Sequence, residues 1–356
     1  MEILPTVGTL LMLLAVGSSL LWCFTKLPAG EPLARHVTMA AQIAPMIFLT
    51  TAFVFDLEAL DLVSRYGGAD LPLLYRVSAV WGGRAGPLLL WSALMGVVTW
   101  FMSGRNASNS SEVRLMHGMT AAILLVAWIL SPFAASSGWG GTLNPLLQTD
   151  LMVIHPPVVF AYYSLCLAVA SVAVAGLIDG RDARSVHEAQ LHWARAGFLL
   201  GAVGIGLGGL WAYTVLDWGG YWAWDPVETG SFLPWLALVA ISHLRTRPGK
   251  VSDSGWIGAG LVTGALALFA TLVTRAGGVW ASSVHTFVIS ESGTPPEDAF
   301  SRMMLLKSDA VAGVEIMSYL MFILILAGSW LLLIRKGLHQ EDSSNSSQLL
   351  LVPVIG

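Results

Sequence analysis

A chain of 356 residues that is 55% hydrophobic and only 11% charged is no ordinary soluble domain, in which about a quarter of the residues carry charge; its mean hydropathy of +0.71 marks an integral membrane protein. The formal net charge of −4 excludes nucleic acid as a partner and a polybasic patch as a membrane anchor. The two cysteines, Cys23 and Cys166, lie in apolar runs with no CxxC pair, which excludes a disulfide framework, a dithiol redox centre and a thiolate metal site.

A membrane span needs about 20 mostly apolar residues. Nine stretches meet that need: 4–24, 36–55, 87–103, 115–133, 156–178, 192–213, 229–246, 256–274 and 311–334. The first has no basic leader and no small-residue cleavage site, so it reads as a retained span. The expected fold is therefore all-α, a polytopic bundle of about nine transmembrane helices. It forms one membrane domain over residues 1–340, followed by a short tail, 341–356, that is polar and then apolar. Loop charge sets the orientation: alternate loops hold twelve Lys and Arg against six, which places the N-terminus outside and the C-terminus in the cytoplasm. Gly201, Gly204, Gly206, Gly208 and Gly209 lie within a span and follow no strand, so they read as small residues for close helix packing rather than a nucleotide loop.

Four substantial features then fall on the outer side: 56–86, 134–155, 214–228 and 275–310. The first carries Trp81-Gly-Gly-Arg84-Ala-Gly-Pro87 and the last carries Arg275 and His285. The third opens the stretch WGGYWAWDPVETGSFLPW, which puts Trp218, Tyr221, Trp222, Trp224 and Trp235 into eighteen positions. Tryptophan favours the membrane–water boundary, yet anchoring a helix end needs only one or two rings. A contiguous aromatic surface suits a flat apolar ligand such as a porphyrin. Asp225, Pro226 and Glu228 have the spacing of a reciprocally capped helix start, with Asp225 also placed to fix an indole N–H; an acid–base pair is the weaker reading.

Histidines sort by place. His155 stands directly before Pro156-Pro157 at the outer entry of the fifth span, and His285 follows the eighth. Neutral imidazole is a suitable axial ligand for haem iron, so the two form either an axial pair or two unrelated loop histidines. His243 lies near the inner end of the seventh span, ~25 Å from the aromatic stretch if its helix is unbroken and ~14 Å if Pro234 interrupts it. An ionisable residue within a span is a functional candidate, although a snorkelling helix end has the same appearance. His187 and His339 read as solvated, and His36, His117 and His192 as partly exposed residues near inner ends.

WGGYWAWDPVETGSFLPW resembles the WWD signature of the haem-handling proteins of cytochrome c biogenesis. Three further stretches are most similar to the CcmF branch: Trp81-Gly-Gly-Arg-Ala-Gly-Pro-Leu-Leu-Leu-Trp91, Asn144-Pro-Leu-Leu-Gln148 with His155-Pro-Pro157, and Val273-Thr-Arg-Ala-Gly-Gly with Ser283-Val-His285. The resemblance implies a haem lyase subunit of the inner membrane whose active face is extracytoplasmic. Haem b would be ligated there by His155 and His285, held against Trp218, Trp222, Trp224 and Trp235 beside Asp225, and presented to the CxxCH segment of apocytochrome c for thioether formation. Arg84 or Arg275 would pair with its propionates, and His243 would ligate a second, intramembrane haem. The partners implied are a haem chaperone or other cytochrome c maturation subunits. Two departures stand out. CcmF-type chains are much longer, so the second ligand of the intramembrane haem comes from a second chain supplying the missing half, or that haem is absent; and Arg84 stands where many relatives carry His. The nearest alternative is a haem exporter or presenter of CcmC or CcsA type. From another class comes a transporter or quinone-site subunit with structural tryptophans, for which internal repeats are expected; none is convincing.

Overall fold

The computed structural model describes residues 3–25, 32–105, 110–138, 140–215, 220–246, 252–280 and 310–342. Eleven α-helices follow in order among them: α1 Ile3–Phe24, α2 Pro32–Val54, α3 Asp61–Tyr66, α4 Leu73–Ala79, α5 Ala85–Arg105, α6 Ser111–Ile129, α7 Asp150–Asp179, α8 Ala183–Val215, α9 Pro226–His243, α10 Asp253–Trp280 and α11 Ala310–Asp342. The described residues contain no strand, only an isolated bridge between Leu60 and Ala135. Eight of the helices, α1, α2, α5, α6, α7, α8, α10 and α11, are long and apolar enough to cross a membrane. The expected all-α polytopic bundle is what forms. Its ninth expected span is the 18-residue α9, which stands outside those eight because Glu228, Thr229 and Ser231 dilute its first turns.

Packing follows from where apolar surface lies. α1, α2, α5 and α6 form one group and α8 to α11 another, with α7 between them touching α5, α6, α8 and α10. A helix apolar all round belongs inside, and α7 is buried almost continuously from Tyr162 to Gly176. Leu13 and Leu14 on α1, Leu199 on α8 and Leu324 on α11 are exposed, as lipid-facing surface requires.

Several helix ends differ from expectation. α7 starts not at Pro156 but at Asp150, because the Thr149 side chain caps it by accepting from Met152 N. His155 is thus inside the helix. α10 runs on through Arg275, which was expected in a loop. α8 begins early enough to bury His187, which has zero exposure and packs 4.4 Å from the Trp256 ring instead of facing solvent. His117 is also buried: Gln42 Nε2 donates to its Nδ1 at 3.1 Å and Trp22 stacks on it at 5.7 Å.

Two of the features expected to converge are joined directly. Asp61 N donates to Ala134 O at 3.0 Å, Ser136 N to Ala59 O at 2.9 Å and Gly141 N to Ser64 O at 2.9 Å. The Asp61 carboxylate accepts from Ser137 Oγ and Arg65 Nε, each at 2.7 Å. Partial burial pushes that carboxyl up, but these bonds and the Arg65 charge hold it below its usual range. The joined segments cap one end of the bundle, the tryptophan-rich end.

Candidate functional site

The tryptophan-rich stretch is shaped by one buried carboxylate. Asp225 caps α9, its side chain accepting from Val227 N at 2.8 Å, and Glu228 completes the expected capping box. Glu228 Oε2 accepts from Asp225 N at 3.2 Å and also from Ala223 N at 3.0 Å. These N–H groups flank Trp224, so the chain curls around a single oxygen and Trp224 takes φ +55°. A bulky side chain there costs about 1–3 kcal/mol, and the cap with two hydrogen bonds to a charged acceptor returns a similar amount. The consequence is a ring held 67% exposed.

From Trp224 the rings continue inward. Trp222 meets Trp224 edge-on at 5.9 Å and Phe232 at 6.0 Å; Phe232 stacks on Trp235 at 5.5 Å, and Trp235 on Phe198 at 5.1 Å. The interplanar angle is 84° at Trp222–Trp224 but 20° at Phe232–Trp235, so the arrangement is a corner leading into a stack rather than one flat surface. Phe198 of α8 and Phe232 of α9 were not singled out from the sequence; Phe232, four residues after the buried Glu228 and three before Trp235, carries the helical spacing that could have found it. Trp235 Nε1 donates to Phe198 O at 3.1 Å, while Trp222 Nε1 is buried without a partner; neither indole is fixed by Asp225. Trp218 lies outside the described residues.

His155 reaches α8. Its Nδ1 is 2.9 Å from Gly204 O, and since a carbonyl only accepts, this bond assigns the proton to Nδ1 and the lone pair to Nε2. That is the tautomer of a metal-ligating histidine held by a backbone carbonyl. The ring lies so close to α8 that a Cβ on Gly208 would sit 2.7 Å from its Cε1. On the same stretch of α8, a Cβ on Gly209 would sit 2.8 Å from Tyr221 Cε1, and Tyr221 Oη donates to Gly206 O. His155 and the tryptophan-rich loop therefore flank the same turns of α8. His285 lies outside the described residues.

The two expected arginines meet an acid that the sequence reading passed over. Glu315 near the start of α11 accepts from Arg84 Nη2 at 2.7 Å and Nε at 3.1 Å through Oε2, and its Oε1 forms an ion pair with Arg275, 3.1 Å from Nε. Tyr319 Oη donates to the same Oε1 at 3.3 Å. The Glu315 side chain has no exposure, against 10% for Arg275 and 25% for Arg84. Its signal was present: a lone acid inside an apolar run is a functional candidate by default. The cluster connects to His155 through Trp81, three residues before Arg84, whose Nε1 donates at 2.8 Å to the carbonyl of Met152, three residues before His155.

His243 is elsewhere. α9 continues through Pro234 to end at His243, so its 17 steps of ~1.5 Å put His243 ~25 Å from Pro226. Its ring is exposed with Nδ1 2.8 Å from Val239 O, which again leaves the lone pair on Nε2. Among the described residues no three His, Cys, Asp or Glu side chains gather to hold a bare metal ion. A buried donor-rich cationic cluster, an oriented imidazole and a run of rings fit instead a flat apolar ligand with an axial position and an anionic edge.

A family model described as cytochrome C assembly protein matches residues 81–282. The chain is 29% identical to the cytochrome c-type biogenesis protein CcmF of Escherichia coli (strain K12) over 366 residues, covering 97% of this chain and 53% of that protein. It is 33% identical to the cytochrome c-type biogenesis protein ccl1 of Rhodobacter capsulatus over 277 residues, covering 75% of this chain and 41% of that one. A solved structure titled cytochrome c heme lyase CcmF shares the fold, with a TM-score of 0.57 at 20% identity over 97% of this chain and 57% of that chain. The chain spans about half the length of the curated relatives it matches. With the family match covering more than half of its residues and eight helices fit to cross a membrane, the chain belongs to the cytochrome C assembly protein family and is a multi-pass membrane protein of cytochrome c-type biogenesis.

Proposed function

We propose that this chain holds haem b at its tryptophan-rich end, on the extracytoplasmic face of the inner membrane, and presents it to the CxxCH segment of apocytochrome c. The observation that carries the reading is the His155 Nδ1 contact with Gly204 O, which directs an imidazole lone pair from a rigid helix beside the aromatic corner. His285 is proposed as the opposite axial ligand, on sequence grounds. Trp218, Trp222, Trp224 and Trp235 contact the macrocycle, and Asp225 with Glu228 sets the loop that carries them.

The bond-forming chemistry belongs to the substrates: each partner thiol adds across a haem vinyl group, with no net oxidation. The contribution of this chain is orientation. The imidazoles fix the iron, the rings exclude water from one edge, and the Arg84–Arg275 cluster receives the anionic edge. The N-terminus is outside and the C-terminus in the cytoplasm in this reading, with α9 as the ninth span. A partner subunit supplies the ligand that joins His243 at a second, intramembrane haem. Haem chaperone or other maturation subunits deliver the substrate.

The test is an absorption spectrum of the chain purified in detergent from haem-replete cells. A Soret band with low-spin bis-imidazole features is expected, with loss of those features in His155→Ala and their partial return on adding free imidazole. No Soret band in the wild-type chain, alone or with its partners, would sink the reading.

A further inference from the structure

The arginine cluster is unequal in charge. Two guanidinium groups share one carboxylate, Glu315, so Arg84, Arg275 and Glu315 together carry a formal charge of +1. Charge of that kind in a largely dehydrated place is costly without a counter-ion. One donor is also left over, since Arg275 Nη2 is buried with no hydrogen-bond partner on a side chain only 10% exposed. A buried orphan donor beside one uncompensated positive charge has the chemistry to bind a single carboxylate.

We propose that Glu315 makes the Arg84–Arg275 pair a site for one substrate carboxylate, a single propionate of haem, by taking up one of the two guanidinium charges and fixing how the remaining donors are offered. The inference rests on haem binding at the tryptophan-rich end. It adds how many propionates are read there and which residue sets that number. Glu315 is the positioning residue: it accepts from the Nε and Nη2 of Arg84, pairs in charge with Arg275 on its Nε side, and leaves the unpartnered Nη2 of Arg275 for the ligand. Tyr319, donating to Glu315 Oε1, keeps the carboxylate from turning away. Two asymmetric haem edges would then be distinguished by the protein, one propionate held by the cluster and the other left to solvent.

The detergent-purified chain is titrated with haem, its propionate monomethyl ester and its dimethyl ester, and binding is read from the Soret band. A charge-assisted hydrogen bond to one carboxylate predicts that the dimethyl ester binds about ten- to a hundredfold more weakly than haem, while the monoester stays within a statistical factor of about two. In Glu315→Gln, which keeps shape and removes charge, the gap between haem and the monoester should widen, because a second guanidinium charge becomes available. Equal binding of all three porphyrins overturns the proposal while leaving haem binding intact. A monoester as weak as the dimethyl ester, or a haem-to-monoester ratio unchanged in Glu315→Gln, overturns it as well. The wild-type ester series needs no substitution and decides the first two outcomes even if Glu315→Gln does not fold. A chain that binds none of the three defeats both this proposal and the haem-binding reading beneath it.

Discussion

Trp81 Nε1 donates to the Met152 carbonyl at 2.8 Å, and that carbonyl is available because Pro156, four residues on, has no N–H to offer it. Proline inside a helix normally costs a hydrogen bond. Here an indole from a loop seventy-one residues away in sequence supplies the missing donor. The same bond ties the arginine-bearing loop to the helix that carries His155.

Trp81→Phe should therefore leave the Met152 carbonyl short of a donor and destabilise the chain by about 1–2 kcal/mol. Pro156→Ala restores an N–H within α7, so it should rescue much of that loss when both substitutions are combined. Thermal unfolding in detergent, followed by circular dichroism for the two single variants and the double, gives the coupling. Effects that add to within about 0.5 kcal/mol would mean that Trp81 and Pro156 do not share this carbonyl.

Gly208→Ala should disturb His155 without unfolding α8. The new Cβ would lie 2.7 Å from His155 Cε1, so the ring must turn and its Nδ1 bond to Gly204 O must lengthen. Helix propensity alone would favour alanine by about 1 kcal/mol, and Gly17→Ala on α1, where nothing lies within 4 Å, should show that gain. The expected signature of Gly208→Ala is a haem spectrum shifted from low to high spin with helicity retained. An unchanged low-spin spectrum would show that the His155 position is not set by this contact.

Trp224 separates the ring's role from the strain of its backbone. At φ +55° glycine is at ease and alanine is not, so Trp224→Gly should be more stable than Trp224→Ala by about 1 kcal/mol. Both lack the ring, and both should lose haem faster while keeping the bis-imidazole spectrum. Haem off-rates, measured by transfer to apomyoglobin, check this. Wild-type retention in either variant would remove Trp224 from the ligand contact.

Much of this was legible in the chain. Apolar runs located the spans, and Asp225-Pro226-Val227-Glu228 announced its own capping box, because both signals are local. What the sequence hid was partnership across space. The Thr149-Asp150 cap was available as a signal, yet Pro156 was the stronger apparent start, and so His155 was set at a helix entry instead of inside α7. His187 looked solvated amid Arg184 and Glu188, although Ala183, Val186, Gln190, Leu191 and Ala194 place it on a buried face at helical spacing. Glu315 was passed over because its meaning lies in Arg84 and Arg275, and a pairing 231 residues apart leaves no local pattern. The bend within the aromatic run was not legible because composition reports how many rings there are and says nothing of the angle that Glu228 imposes on them.

His243 yields the last prediction. It ends α9 at ~25 Å from Pro226, where the helix starts beside the Trp222–Trp224 corner, with its ring exposed and Nδ1 bonded to Val239 O; no iron held by His155 can also reach it. Arg245, two residues on, is anchored to Glu188 of α8, so the helix end is fixed and His243 is presented in one direction. If a second chain supplies the opposite ligand of an intramembrane haem, the chain purified alone should carry only the haem at the tryptophan-rich end, and His243→Ala should leave its haem content unchanged. The assembled complex should carry a further b-type haem that His243→Ala removes, while the His155-dependent spectrum persists. Pyridine haemochrome counts on the single chain and on the complex, each with and without the substitution, make the comparison. Two haems in the isolated chain would place the second ligand within it, and unchanged counts in the complex would leave His243 as an ordinary helix-end residue.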